Sequence, residues 1–388
     1  MRGWLAVASL TAATFAVTAA EMLPVGLLTL IGDGLHVSEG SAGLTVTLAG
    51  IVAALAAPGV PLAVGRLDRR LSLAGLALLL AAANVLSALA PSLEVLLLAR
   101  VLVGVALGGV WAFAASLAVR LVPPGAVSRA LAAVFGGISM ATVLAVPTGT
   151  FIGEAAGWRA AFAAAAVLAV VVAVALAALL PALPAERPVR PGELLRQCGN
   201  ARLRTGLVFL ALLVVGHFSA YTYVRPVLER SAGVSPALLG GLLLAYGVTC
   251  FVGNVASGVL APRRPRAVLL TLGGGIAACV LLLSLVGSLA PSVPPVPAAV
   301  AVVLVWGVFY GGVSVGAQAW VLAAAPDSRE PAGALFASVF NASIAAGAFV
   351  GGRVLDAGSL RAVLLTGAGL ALASVVVLTV LPGARRGR

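Results

Sequence analysis

Residues 160–183 read Ala160-Ala-Phe-Ala-Ala-Ala-Ala-Val-Leu-Ala-Val-Val-Val-Ala-Val-Ala-Leu-Ala-Ala-Leu-Leu-Pro-Ala-Leu183. No charged side chain interrupts the run between Arg159 and Glu186. At a rise of about 1.5 Å per residue it crosses the roughly 30 Å hydrocarbon core of a bilayer as a helix. Hydrocarbon offers no hydrogen bonds to a peptide group, so a helix that closes its own ladder is the conformation expected. The same pattern repeats outward in both directions, giving spans near 4–31, 41–64, 71–90, 92–119, 128–153, 160–183, 205–228, 236–261, 267–290, 296–324, 331–352 and 360–382. The whole composition agrees: 62% of the 388 residues are hydrophobic and 9% charged, with a mean hydropathy of +1.16, whereas a soluble domain is roughly a quarter charged. The fold class expected is an all-α membrane protein of twelve transmembrane helices.

The formal charge of +12 comes with 24 basic residues, all of them Arg. They form no basic stripe interleaved with aromatics, which argues against nucleic acid; most fall in short gaps between apolar runs. With an even number of spans both termini share a side. Eighteen Arg lie on that side, five on the other, and Arg100 lies within a span. Arg-rich loops stay cytoplasmic, so both termini are expected inside a cell (inner) membrane. The first run, from Trp4 to about Ile31, exceeds the roughly 7–15 residues of a signal-peptide core and is read as a retained span. Cys198, Cys250 and Cys279 are odd in number and widely spaced, which excludes a disulfide framework and a Cys-based metal site.

A Pro- and Arg-rich stretch, 184–204, divides the chain into six-span halves, 1–183 and 205–388. The halves echo one another. Pro147-Thr-Gly149-Thr-Phe151-Ile-Gly153 in span 5 matches Ala345-Ala-Gly347-Ala-Phe349-Val-Gly351 in span 11, and Glu21-Met-Leu-Pro24 sits like Tyr223-Val-Arg-Pro226. Such internal similarity is the trace of a duplicated six-helix unit, so two six-helix pseudo-repeats are expected.

Three motifs carry a family resemblance. Gly65-Arg-Leu-Asp68-Arg69-Arg70 between spans 2 and 3 resembles the cytoplasmic loop signature of the major facilitator superfamily. Arg100-Val-Leu-Val-Gly104-Val-Ala-Leu-Gly108-Gly109 is similar to that family's span 4 motif, and Ala145-Val-Pro147-Thr-Gly149-Thr-Phe-Ile-Gly153 to the motif of its drug:proton antiporter-type exporters. Glu21-Met-Leu-Pro24 and Gly216-His217-Phe-Ser-Ala-Tyr221-Thr-Tyr223 look like the bacterial branch of purine ribonucleoside and arabinose efflux pumps and chloramphenicol-resistance exporters. The resemblance runs from span 1 to span 12. It departs from the general pattern at Val146-Pro147, where a Gly-Pro is usual, and at Arg70, where a Gly is usual. It implies efflux of a small molecule against protons.

Ionisable groups inside a bilayer are functional candidates because charge there is costly, by roughly 2.5–3.5 kcal/mol on insertion scales. Glu21 lies ten residues from Ile31 and Arg100 nine from Pro91, which puts both near mid-depth and makes them the proton-coupling candidates. A static ion pair fits the same placement. His217, twelve residues into span 7, with Tyr221 and Tyr223 after it, suits a sugar or nucleobase; a packed histidine and interface-anchoring tyrosines are the alternatives. Asn341, Trp111, Gln318 and Asn254 complete the substrate-binding candidates, each with a packing role as its alternative. Gly65, Asp68, Arg69 and Arg70 are read as a conformational latch or as plain topology signals. Pro147 removes a helical hydrogen bond and is expected to kink span 5, while Gly149 and Gly153 clear one face for close packing.

These features predict a proton-coupled exporter of a small polar or amphipathic molecule, nucleoside-, sugar- or antibiotic-like, working by alternating access. Import or facilitated diffusion of the same compounds is the alternative. The expected partners are the substrate, protons and the bilayer; a monomer is expected, with no metal and no cofactor beyond the proton gradient. An intramembrane enzyme would need a nucleophile with its base, or a metal cluster, and the two His, at 36 and 217, supply neither.

Overall fold

The computed structural model describes residues 2–65, 67–183, 199–261, 263–286, 295–325 and 329–381. Most of the expected linker, 184–198, lies outside them. Twelve helices among the described residues are long and apolar enough to span a membrane. The chain divides into two compact units, one of residues 1–37 and 48–188, the other of 38–47 and 189–388.

The first unit contains α1 (Arg2–Leu35), most of α2 (Glu39–Val64), α3 (Arg69–Ala88), α4 (Leu93–Arg120), α5 (Val127–Ala156) and α6 (Trp158–Leu179). Its interior is built from Leu10, Val17, Leu73, Leu80, Val103, Leu107, Val110, Phe113, Leu117, Val172 and Leu176. Lipid is as apolar as these side chains, so close packing and backbone approach rather than water exclusion must hold the helices together. The glycines show how. A Cβ on Gly104 would stand 2.6 Å from the Ala49 carbonyl oxygen, and one on Gly108 2.5 Å from that of Ala53, so α4 lies directly on the α2 backbone. On α5, Gly149 faces Leu23 and Gly153 faces Leu27 and Leu30, while Thr150 Oγ1 donates to the Gly26 carbonyl at 3.2 Å. α5 continues through Pro147 as one element.

Helices α3 and α6 are tied at both ends. At one, Asp68 caps α3 and Leu183 beyond α6 exchanges hydrogen bonds with the Asp68-Arg69 corner. At the other, Arg159 Nη2 donates to the Ala90 carbonyl at 3.0 Å, with its guanidinium over the Trp158 ring. Gly157, at φ +84°, makes the corner from α5 into α6, a left-handed conformation that favours glycine.

In the second unit lie α7 (Ala201–Tyr221), α8 (Pro236–Leu260), α9 (Pro265–Leu285), α10 (Pro295–Gly311), α11 (Val313–Ala324), α12 (Arg329–Ala357) and α13 (Leu360–Val380). α10 and α11 form a single span divided at Gly312. The seventh span ends sooner than 228: after Tyr221 come a helical turn, Val224–Pro226, and a π-helical turn, Val227–Ser231. Pro226 has no N–H to donate to the Thr222 carbonyl, so regular helix cannot pass through it unchanged. Gly307 and Gly311 of α10 lie against the backbone of Tyr246 and Cys250 in α8, and Gly347 and Gly351 of α12 against Val215 to Tyr223.

A methyl group therefore acts oppositely at different glycines. Gly108→Ala is expected to force α4 off α2, with an overpacking penalty of about 1–3 kcal/mol. Gly75→Ala, at an exposed site with no atom within 4 Å of the added Cβ, should be neutral or raise helix stability by up to about 1 kcal/mol. Thermal melting of the detergent-solubilised protein reads both.

Candidate functional site

In the first unit the site begins with a proline. Pro24 lies inside α1 and has no N–H, so the Ala20 carbonyl one turn earlier loses its helical donor. An orphan carbonyl in a dry interior costs about 1–3 kcal/mol unless another donor arrives. Arg100 supplies it: from α4 its Nη2 donates to the Ala20 oxygen at 2.8 Å and approaches the Glu21 carbonyl oxygen at 3.4 Å. Arg100 is wholly buried and Glu21 is 2% exposed. The two sequence candidates are thus brought together, but through the main chain: these guanidinium bonds go to the turn that carries Glu21. Oε1 of Glu21 accepts no hydrogen bond. The arrangement sets a buried carboxylate, with acceptor capacity unused, beside a fixed cation, chemistry suited to taking up and releasing a proton.

The loop motif is used differently. Asp68 Oδ1 accepts from the Arg70 N–H at 2.9 Å and the Leu183 N–H at 3.0 Å, while the Arg69 N–H donates to the Leu183 carbonyl. The Leu183 hydrogen bond is the largest influence holding the Asp68 carboxyl below its ordinary range, with Arg70 and Arg120 acting in the same sense. The Arg69 guanidinium stands 4.7 Å from the centre of the Phe113 ring, and Gly65 turns the chain at φ +47°. Asp68 and the Arg69 main chain thus join the start of α3 to the end of α6 inside one unit.

In the second unit His217 is fully buried and stacks on Tyr310, ring centres 3.5 Å apart and 2° from parallel. Tyr221 lies one turn on, 5.1 Å from His217 and 5.1 Å from Tyr246. Trp306 meets His217, Tyr221 and Tyr246 edge-on. Neither nitrogen of His217 nor the Trp306 indole nitrogen has a hydrogen-bond partner. Each such group carries a desolvation penalty of about 1–3 kcal/mol. Three helices build the cluster, and the small residues of α10 let α8 approach closely enough to close it. Tyr246, Trp306 and Tyr310 escaped the sequence reading. A usable signal was present: Trp306 and Tyr310 are one helical turn apart, hence on one face.

Tyr223 stands apart from this cluster. Its hydroxyl donates to the Ala348 carbonyl at 2.8 Å, a packing role. Asn341 Nδ2 donates to the Ala337 carbonyl of its own helix at 2.9 Å. Gln318 is exposed on α11 and Asn254 half-buried on α8. Trp111 packs against the core of the first unit with its indole nitrogen unpaired. The packing register also revises the sequence alignment of the halves. Gly149 and Gly153 face Leu23 to Leu30, whereas Gly347 and Gly351 face Val215 to Tyr223. The turn of α7 equivalent to Glu21–Pro24 is therefore the one holding His217, and not Tyr223–Pro226.

The family model of the Major Facilitator Superfamily matches residues 10–293. The chain belongs to the major facilitator superfamily. It is a membrane transporter and not an enzyme. It is 34% identical to a purine ribonucleoside efflux pump, NepI, of Escherichia coli strain 536, over 97% of this chain and 93% of the relative. The NepI of Shigella sonnei is 35% identical over the same shares. Among solved structures, a variant of the nucleoside transporter NupG superposes with a TM-score of 0.77 at 14% identity, covering 97% of this chain and 99% of that one. A bacterial homologue of the human lysosomal transporter Spinster, inward-facing and unoccupied, gives 0.71 at 16%, covering 98% and 95%. At these identities the solved structures speak for the fold alone.

Two measurements check the transporter's first unit. Arg100→Met should destabilise by about 1–3 kcal/mol through the stranded Ala20 carbonyl. Adding Pro24→Ala, which restores a helical donor, should recover part of that loss, so the double-mutant cycle in melting temperature is expected to be non-additive. Asp68 has a folded pKa below its unfolded value of about 3.9, so its contribution is present above that value and is lost as pH falls through the folded one. Melting of the native protein should differ from that of Asp68→Ala at pH 5–7, and the difference should shrink below about pH 4.

Proposed function

We propose that this transporter is a proton-coupled antiporter that exports a small nucleoside-like molecule by alternating access. The observation that carries the reading is the buried Glu21 carboxylate, its Oε1 without a hydrogen-bond partner, on a turn held by Arg100. A carboxylate so placed holds a proton in one state and gives it up in another as the surrounding polarity changes. Arg100 cannot be deprotonated in the physiological range, so it favours the charged form of Glu21 whenever the two are exposed together. Substrate leaves the cytoplasm as protons enter.

The names of the relatives support the direction and the class of cargo, purine ribonucleoside efflux. In this reading the protein works as a monomer in the inner cell membrane with both termini cytoplasmic, its loops rich in Arg on that side. Residues 1–183 and 205–388 are its two moving halves, joined by 184–204. Its energy source is the proton gradient, and it uses no other cofactor.

Everted membrane vesicles test the coupling. An inside-acid gradient should drive accumulation of labelled adenosine or inosine, and an uncoupler should abolish it. Glu21→Gln should lose this gradient-driven accumulation while still exchanging labelled for unlabelled nucleoside across vesicles without a gradient. Accumulation by Glu21→Gln at the native rate would remove Glu21 from the coupling. Equilibration that ignores the gradient in the native protein would replace antiport by facilitated diffusion.

A further inference from the structure

The ring cluster of the second unit contains features that packing alone does not require. The His217 and Tyr310 rings lie face to face, centres 3.5 Å apart and 2° from parallel. Aromatic pairs ordinarily prefer offset or edge-to-face contacts with centres roughly 4.5–7 Å apart, because stacked electron-rich faces repel one another. The other neighbours of His217 follow that preference, Phe218 and Trp306 edge-on and Tyr221 at 5.1 Å. Only the Tyr310 contact has the geometry of a heterocycle lying flat on a phenol. The imidazole in that position leaves both its nitrogens without partners, as is the Trp306 indole nitrogen. A neutral imidazole offers one donor and one acceptor, and an indole one donor. The imidazole and indole thus present two donors and one acceptor beside the stacking faces, and the Tyr246 hydroxyl is buried without a partner as well.

We propose that the column of Tyr310, His217, Tyr221 and Tyr246, with Trp306 across its edge, is a binding site for an uncharged planar nitrogen heterocycle, the base end of a nucleoside. The heterocycle takes the face of Tyr310 now covered by His217. An electron-poor purine is a better partner for that face than an imidazole, because its ring polarity complements the phenol. One ring nitrogen accepts from Trp306 Nε1, and its polar edge pairs with one nitrogen of His217, which accepts from the exocyclic amine or donates to a second ring nitrogen. Tyr221 and Tyr246 continue the stack on the far side. The five residues include no acidic side chain and no Arg, so nothing in the column answers a phosphate, and free base and nucleoside bind where the nucleotide does not. This assignment rests on the reading of the chain as a carrier of nucleoside-like molecules, and it adds the residues that recognise the base.

Equilibrium binding to the purified full-length protein in lipid nanodiscs at fixed pH tests it. Labelled adenosine should be displaced by adenine and not by ribose or adenosine monophosphate. Tyr310→Leu should weaken adenosine and adenine binding about 5- to 150-fold, the range expected for removing one stacking face. Tyr310→Phe, which keeps the face, should bind like the native protein. Displacement by ribose with none by adenine, no binding of adenosine or adenine at all, or unchanged binding by a Tyr310→Leu protein of native melting temperature would each overturn the site. If Tyr310→Leu does not fold, the order of competitors on the native protein decides alone. Binding at fixed pH needs no proton gradient, so a failure of proton coupling in vesicles and a failure of base recognition here are separate outcomes.

Discussion

A bilayer supplies no hydrogen bonds to a peptide group, and this chain has to find every one of them within itself. Where α1 meets Pro24 the supply fails by one, and the Ala20 carbonyl is satisfied by a guanidinium from another helix at 2.8 Å. That repair gives the wholly buried Arg100 a structural duty in the apolar interior. It also fixes the turn that carries Glu21. Local chemistry, helix pairing and the candidate coupling site follow from the same missing N–H.

The same accounting separates structural polar groups from candidate functional ones. Ser9, Thr11, Ser87, Asn341 and Ser343 all lie in spans, and each donates to a carbonyl three or four residues back in its own helix. Thr14 and Thr150 reach across to the neighbouring helix as well. Such side chains are at home in lipid because their demand is met. Glu21 and His217 differ. Both are buried, both have polar atoms with no partner, and the glycine packing puts them in corresponding turns of the first helix of each unit. A buried group left short in a native structure calls for an explanation, and transport chemistry provides one at each position.

Glycine provides the other half of the architecture. Between α1 and α5, and again between α7 and α12, two glycines four residues apart remove the side chains from one helix face and let the partner helix come into contact. Helix pairs held by backbone approach rest on dispersion and a few interhelical hydrogen bonds. The α3–α6 pair packs along its length as well and is tied in addition at its ends, by Asp68 with Leu183 and by Arg159 with Ala90. Asp68 thereby acquires a structural duty that its place among arginines in sequence did not suggest.

Twelve helices and the candidate standing of Glu21, Arg100 and His217 were legible in the sequence, because hydropathy is a one-dimensional property and a charge in an apolar run is visible without a fold. The internal duplication was legible too, though its register was misread: Tyr223–Pro226 resembles Glu21–Pro24 in its letters, while the helix contacts select the turn of His217. What the tertiary structure alone decided is partnership. Arg100 bonds to a carbonyl eighty residues away, Tyr246, Trp306 and Tyr310 join His217 from two other helices, and Tyr223 leaves the cluster for the Ala348 carbonyl. Hydrogen bonds and ring contacts depend on distance and direction in three dimensions, and a linear chain displays neither until its helices pack.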